Sequence, residues 1–276
     1  MIAWTDYEIG NHRVRCPACG RGERDKTLGL TIEADGKGVA HCFRCSFTES
    51  YRPKAGAHVS MPSTPRIKAV TAQKHQALSD YGRDLWHDCK PLCGAAVSYL
   101  TARHCQIPPA DGDLRCHPAL KHPSGFVGPA LVGRITDALT RQPLSLHRTW
   151  IQADGRKADV DAPRLLLGGH RKQGGVIRLW PDEAVTTGLG IAEGIETALS
   201  LAWAHAPVWA CIDAGNLAAL VYLPGIECLV IGADNDPAGG AAARACAQRW
   251  ADAGAEVLVT RQAQNDLNDV IMGVAA

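Results

Sequence analysis

Three features of the sequence predict an α/β protein in which a parallel sheet flanked by helices follows a mixed α+β subdomain and a small β ribbon. From Gly188 onward, strand patterns alternate with helix patterns, the arrangement that builds a parallel sheet. Upstream, Ala130 to Ile135 and Leu144 to Ile151 read as short strands between Gly- and Asp-rich turns. Near the N-terminus, two Cys-x-x-Cys pairs lie in a segment too small to build a core unaided.

These features divide the chain into a ribbon over 1–51, a flexible linker over 52–75, a helical and mixed subdomain over 76–187 and a final α/β domain over 188–276. The linker holds Pro53, Gly56, Pro62, Ser63 and Pro65 and has little apolar periodicity. Gln76 to His104 has a helical pattern broken at Pro91, with Leu78, Leu85, Trp86, Val97 and Leu100 as packing residues. In the last domain, strands are expected at Leu189 to Ala192, Val208 to Ile212, Glu227 to Ala233 and Ala255 to Thr260. Helices are expected at Ile195 to Ala204 and Pro237 to Ala253, the latter ended by Gly254.

The 46% hydrophobic content is ample for a core, and 21% charged residues excludes a disordered composition. No run of 18 apolar residues and no basic-then-apolar leader occurs, so a cytoplasmic protein with no membrane partner is expected. The net charge of +1 hides strong segregation. Asn11 to Lys54 holds nine Lys/Arg against five Asp/Glu, and Arg141 to Arg178 eight against three. Gly188 to Ile271 holds three against ten. Two basic segments and one acidic segment suit a protein that grips phosphates with the former and a divalent cation with the latter.

Cys16 and Cys19 form one knuckle and Cys42 and Cys45 the other, with 22 residues between them, the spacing of a four-cysteine zinc ribbon. Four thiolates close a tetrahedron, so one structural Zn²⁺ is expected, with no need for the adjacent His41. The ribbon would display Arg13, Arg15, Arg21, Arg24, Arg44 and Phe43, a set suited to single-stranded DNA. Cys89, Cys93, Cys105 and Cys116 are irregularly spaced and read as core or incidental thiols, and Cys211, Cys228 and Cys246 as small core residues.

Glu193 stands at the end of one expected strand, Asp234-Asn235-Asp236 at the end of another, and Asn265 to Asp269 follows a third. Residue alternation points Asp234 and Asp236 to one side and Asn235 away. Carboxylates gathered this way repel one another unless a hard cation bridges them, so Mg²⁺ or Mn²⁺, two ions in all, and phosphoryl transfer are expected.

Glu193-Gly194 after a strand, followed by Asp234-x-Asp236-x-x-Gly239, resembles the Toprim signature shared by bacterial-type primases, topoisomerases and certain nucleases. The order of ribbon, basic subdomain and Toprim segment is similar to bacterial-type primases. Leu146 to Trp150, Glu193 to Leu199 and Asp266 to Asp269 look like the phage- and plasmid-borne group. The resemblance implies a Toprim-like sheet and synthesis of short RNA primers on single-stranded DNA from NTPs, for replication of a mobile element. It implies a general-base or metal role for Glu193, metal binding by Asp234 and Asp236, and support from Asp266 or Asp269. Arg148, Arg171 and Lys172 would hold template or nucleotide phosphates. Many relatives carry an acid four residues after the glutamate, where this chain has Thr197, which leaves the role of Glu196 open. The sequence lacks a Walker-type phosphate loop, so a separate replicative helicase is expected as partner. A Toprim nuclease and a non-catalytic DNA-binding protein are the alternatives.

Overall fold

Leu28, Leu30 and Ile32 alternate along one strand and Ala40 and Cys42 along the next, and all five are buried. This period of two folds the N-terminal segment into a four-stranded antiparallel sheet of β1 (Gly10–Val14), β2 (Leu28–Ile32), β3 (Gly38–Cys42) and β4 (Thr48–Tyr51), paired in sequence order. Trp4 closes its core by stacking on Tyr51 at 5.6 Å and donating from its indole nitrogen to Glu49 at 2.9 Å. In this computed structural model the described residues are 2–20, 25–42, 44–45, 47–53 and 75–273. Arg21, Arg24, Phe43 and all of the expected linker except residues 52, 53 and 75 lie outside them. The chain forms two compact units, residues 1–70 and 71–276.

The second unit begins with two helices, α1 (Asp80–Asp88) and α2 (Ala95–Ala102), separated around Pro91 as the sequence suggests. Ser79 starts α1 by accepting from the Gly82 amide at 3.3 Å. Five strands follow: β5 (Leu114–Lys121), β6 (Val127–Asp137), β7 (Pro143–Trp150), β8 (Arg164–Leu166) and β9 (Gly175–Arg178). The remainder alternates strand and helix: β10 (Gly188–Ala192), α3 (Ile195–Leu201), β11 (Val208–Ala210), α4 (Ala214–Ala219), β12 (Cys228–Gly232), α5 (Pro237–Asp252), β13 (Glu256–Val259) and α6 (Leu267–Ile271).

One nine-stranded sheet runs through this unit in the order β13-β12-β10-β11-β9-β6-β7-β8, with β5 also paired to β6. The strands from β10 to β13 are parallel, and β9 joins them to the antiparallel strands by pairing antiparallel with both β11 and β6. On one face α3 buries Ile195, Ala198 and Leu199 against Ala192 and Val208, together with Tyr99, Leu100 and Ile177 from the preceding segment. On the other face α4 and α5 bury Leu217, Ala243, Cys246 and Trp250 against Leu189, Ile191, Leu229 and Ile231. The chain leaves β10 for β11 on one side and returns to β12 on the other. This creates a topological switch point, where open α/β sheets bind ligands at the carboxyl ends of their strands.

Cys89, Cys105, Cys116, Cys211 and Cys246 are buried, Cys228 is half-buried and Cys93 is exposed. Among the described residues no helix is long and apolar enough to cross a membrane.

Candidate active site

Strand register explains why distant acids meet. Ala192 of β10 lies opposite both Ala210 of β11 and Gly232 of β12, so these three strands end level. The chain then delivers Glu193, Asp213 and Asp234 along one edge of the sheet. Asp236 is the N-cap of α5 and accepts from the Gly239 amide at 2.7 Å. Asp266 is the N-cap of α6 and accepts from the Asp269 amide at 2.9 Å. Gly239 has a steric reason to be glycine, because a Cβ there would stand 2.8 Å from the Asp234 carbonyl oxygen. That close approach packs the Asp234 loop onto the first turn of α5.

Electrostatics tie these acids into one group. Burial raises the Glu193 carboxyl above its ordinary range, and the charges of Asp236 and Asp213 push it further. Burial together with Glu193, Asp266, Asp236 and Asp269 pushes Asp234 up to about 7. The Oδ1 atom of Asp234 is buried and has no hydrogen-bond partner. A buried, unpartnered oxygen among like charges fits a site for a hard cation, whose charge relieves both the repulsion and the missing contact.

Glu193, Asp234 and Asp266 line a cavity of about 120 Å³. Arg103, His147 and Arg164 line it as well, and none of these three was expected from the sequence to belong to the site. Ile212, also in the wall, holds a φ of +77°, a strained conformation for a β-branched residue. The sequence signal for Asp213 was present: it too is an acid following an expected strand, in the same position as Glu193 and Asp234.

The expected phosphate-binding cations are placed differently from one another. Lys172 pairs with Asp213 at 2.5 Å and so stands beside the acids. Arg171 pairs with Asp137 at 2.8 Å. Arg148 is buried on β7, donates to the Leu166 carbonyl at 2.9 Å and lies over the Trp150 ring. Its neighbour His147 points the other way and is the β7 residue that lines the cavity.

Glu196 is buried, at 7% exposure, with its Oε1 2.5 Å from the Tyr99 hydroxyl, 2.8 Å from Arg164 and 3.7 Å from Lys157. Although burial disfavours its charge, Arg164, Lys157 and the Tyr99 hydroxyl hold its carboxyl down to about 2.

In the first unit the thiols of Cys16, Cys19, Cys42 and Cys45 all lie within 4.8 Å of one another, with Cys16 and Cys45 at 3.7 Å and Cys19 and Cys42 at 3.6 Å. The Arg44 amide donates to the Cys42 sulfur at 3.4 Å. This is a zinc-binding cluster by donor type, number and spacing, and His41 is not part of it. Among the described residues the carboxylates form no group this tight. Arg13 and Arg15 are exposed, while Arg44 reaches across to buried Asp25 at 3.2 Å and to the Cys19 carbonyl at 3.4 Å, which braces the two knuckles.

Residues 76–179 match the model of a domain of unknown function (DUF7146), and residues 188–276 match that of the Toprim domain. None of the curated proteins matches the chain. Among solved structures, the chain is similar to the primase fragment of the bacteriophage T7 primase-helicase. That likeness has 16% identity, covers 96% of this chain and 95% of the other, and has a TM-score of 0.45. It is also similar to the zinc-binding and RNA polymerase domains of the Aquifex aeolicus primase, with 14% identity, coverage of 99% and 80%, and a TM-score of 0.45. A primase domain from Pseudomonas aeruginosa is 13% identical over 57% of this chain and 53% of the other, with a TM-score of 0.35. A Toprim match over residues 188–276 together with a four-cysteine cluster supports the resemblance to bacterial- and phage-type primases.

Proposed function

We propose that the chain is a DNA primase that makes short RNA primers on single-stranded DNA for a phage, plasmid or other mobile element. The observation that carries this reading is the buried, unpartnered oxygen of Asp234, which follows a strand level with the one that precedes Glu193 and lies among the charges of Asp236, Asp266 and Asp269, in a segment that matches the Toprim domain. The four-cysteine ribbon in the same chain favours priming over the other uses of that domain.

Glu193, Asp234 and Asp236, supported by Asp266 and Asp269, would hold Mg²⁺ or Mn²⁺, two ions in all. Bound there, the ions supply positive charge at the attacking and leaving oxygens of phosphoryl transfer. Glu193, which lines the cavity with Asp234 and Asp266, takes the proton from a primer 3′-hydroxyl as that oxygen attacks the α-phosphorus of an NTP and pyrophosphate leaves. Lys172 offers an ammonium beside the acids, steadied by Asp213, for a phosphate group. Residues 1–51 form the template-reading domain, with one structural Zn²⁺ and the exposed Arg13 and Arg15 against the DNA backbone. Arg44 contributes by bracing the knuckles as well as by charge. Residues 52–75 link that domain to a core of 76–187 and 188–276, and a separate helicase opens the duplex.

The test is template-dependent NTP incorporation by the full chain with Mg²⁺ or Mn²⁺. Short RNA products are expected, with Glu193→Gln and Asp234→Asn lowering their yield by at least about a thousandfold. Degradation of the DNA without synthesis would instead identify a Toprim nuclease.

A further inference from the structure

The outer edge of the sheet in the second unit is open. β13 stands last in the strand order, and among the described residues it pairs with β12 alone. The Glu256 amide donates to the Glu227 carbonyl at 2.7 Å and the Thr260 amide to the Ile231 carbonyl at 2.9 Å. Alternate residues of a strand face the same neighbour, so Val257 and Val259 turn their N–H and C=O groups to the open side. Charges, prolines or a covering segment blunt most such edges. This one reads Glu-Val-Leu-Val, with Leu258 51% and Val259 39% exposed.

Beside the edge lies a groove of about 450 Å³ between β13 and α5. Ala243, Ala247 and Val259 give it apolar walls, and Arg244 and Arg261 give it two guanidiniums against one carboxylate, Asp234. Gln262, also in the lining, donates from Nε2 to the Ala233 carbonyl at 2.7 Å and leaves its Oε1 buried without a partner. Arg244, Arg249 and Arg261 are the three Lys/Arg of Gly188 to Ile271, a segment with ten Asp/Glu, and two of the three line this groove. Both are exposed, and neither has an ion-pair partner among the described residues. Val257 packs into the core that α5 covers, so a strand added beside β13 would lay every second side chain on the α5 face, where the groove is.

We infer that the β13 edge and the α5 groove bind an extended acidic peptide of a partner protein, which joins the sheet as a further strand. Val257 and Val259 supply the backbone pairing, which gives affinity without regard to sequence. Selectivity comes from the groove: Ala243 and Ala247 leave room for apolar side chains, and Arg244 and Arg261 take carboxylates from the same face of the peptide. The Gln262 Oε1 offers an unmatched acceptor for a peptide N–H. The inference does not depend on the chemistry proposed for the acids.

The probe is a labelled peptide of about twelve residues in which aspartate pairs alternate with valine pairs, so that each face of the extended chain carries both. A lysine–valine peptide of the same pattern is the control, and fluorescence anisotropy with the full chain reads binding. The aspartate peptide should bind at least about tenfold more tightly than the control. Arg244→Glu and Arg261→Glu should each weaken it by about tenfold. Val259→Pro removes an N–H that faces the open side and not β12, so it should lower affinity by at least about tenfold with an unchanged circular dichroism spectrum. Hydrogen exchange at the Val257 and Val259 amides should slow in the complex, which attraction to the arginines alone would not produce. If Val259→Pro fails to fold, exchange in the wild type and binding by Arg244→Glu, whose side chain is exposed on α5, carry the decision. Equal affinity for the two peptides, or a complex in which Val257 and Val259 exchange as before, would overturn the inference. So would concentration-dependent self-association that Val259→Pro abolishes, because a second copy would then hold the edge. Single-stranded DNA affinity that falls in both arginine variants, with no peptide binding in the wild type, would give the groove to the strand instead.

Discussion

Asp234 concentrates the conflict between stability and function at the level of one side chain. Its carboxyl, raised to about 7 from an ordinary 3.8, binds a proton more tightly in the folded chain than in the unfolded one. The metal-free protein is therefore expected to lose stability as pH rises from about 4 to about 7 and to level off above that. Asp234→Asn should remove most of this slope and stabilise the metal-free protein at pH 8 by roughly 1–3 kcal/mol. Denaturant unfolding in chelator at pH 5 and pH 8 measures it, and an unchanged slope would count against the burial of this carboxyl. Glu196 has the opposite sign. Its depressed carboxyl adds stability that is complete above an ordinary 4.5 and lost as pH falls toward about 2.

At the level of single elements, the first-unit sheet depends on its staple. The apolar core of β1 to β4 is small, and two of its buried residues are the ligands Cys16 and Cys42. One zinc per chain is expected by elemental analysis. Cys42→Ser should abolish zinc binding and disorder the first unit while leaving Mn²⁺ binding by the acids within about twofold. The acid-bearing elements are arranged differently: level strand ends and three helix N-caps, at Asp213, Asp236 and Asp266, fix the carboxylates without help from a metal. Zinc-free protein that retains full template-dependent synthesis would show that the ribbon is dispensable.

The whole second unit is one sheet, which determines what can be cut from it. β9 pairs with both β11 and β6, and one core joins Tyr99, Leu131 and Ile177 to Ile195, Ala198 and Leu199. Residues 188–276 expressed alone would expose the edge of β11 and the inner face of α3, so they are expected to aggregate or unfold. Residues 71–276 should give a cooperative unfolding transition. Circular dichroism and denaturant titration of the two fragments check this. A stable, soluble 188–276 fragment would contradict the shared core.

The reach of the sequence depended on whether the informative residues were close together in the chain. The two knuckles, the strand followed by Glu193-Gly194 and the Asp234 to Gly239 loop are local patterns whose chemistry follows from residue type and spacing, and each was legible. So were β10, β12, α5 and β13, because their apolar periods are strong. α4 and α6, of six and five residues, are too short to show a period. The surroundings of Glu196 were not legible. Arg103, His147, Lys157 and Arg164 come from a helix end, a strand, a loop and an edge strand, and only tertiary packing brings them to Glu196. Along β7 the sequence offers His147 and Arg148 as neighbours that must face opposite sides, and which of them meets the cavity follows from the pairing of β7 with β6 and β8. The sequence by itself thus determined the four-cysteine cluster and the Toprim segment with its acids after the strands, because both are encoded in short spacings. The tertiary structure alone decided which side chains share a cavity with the acids, because that choice depends on strand register and sheet order.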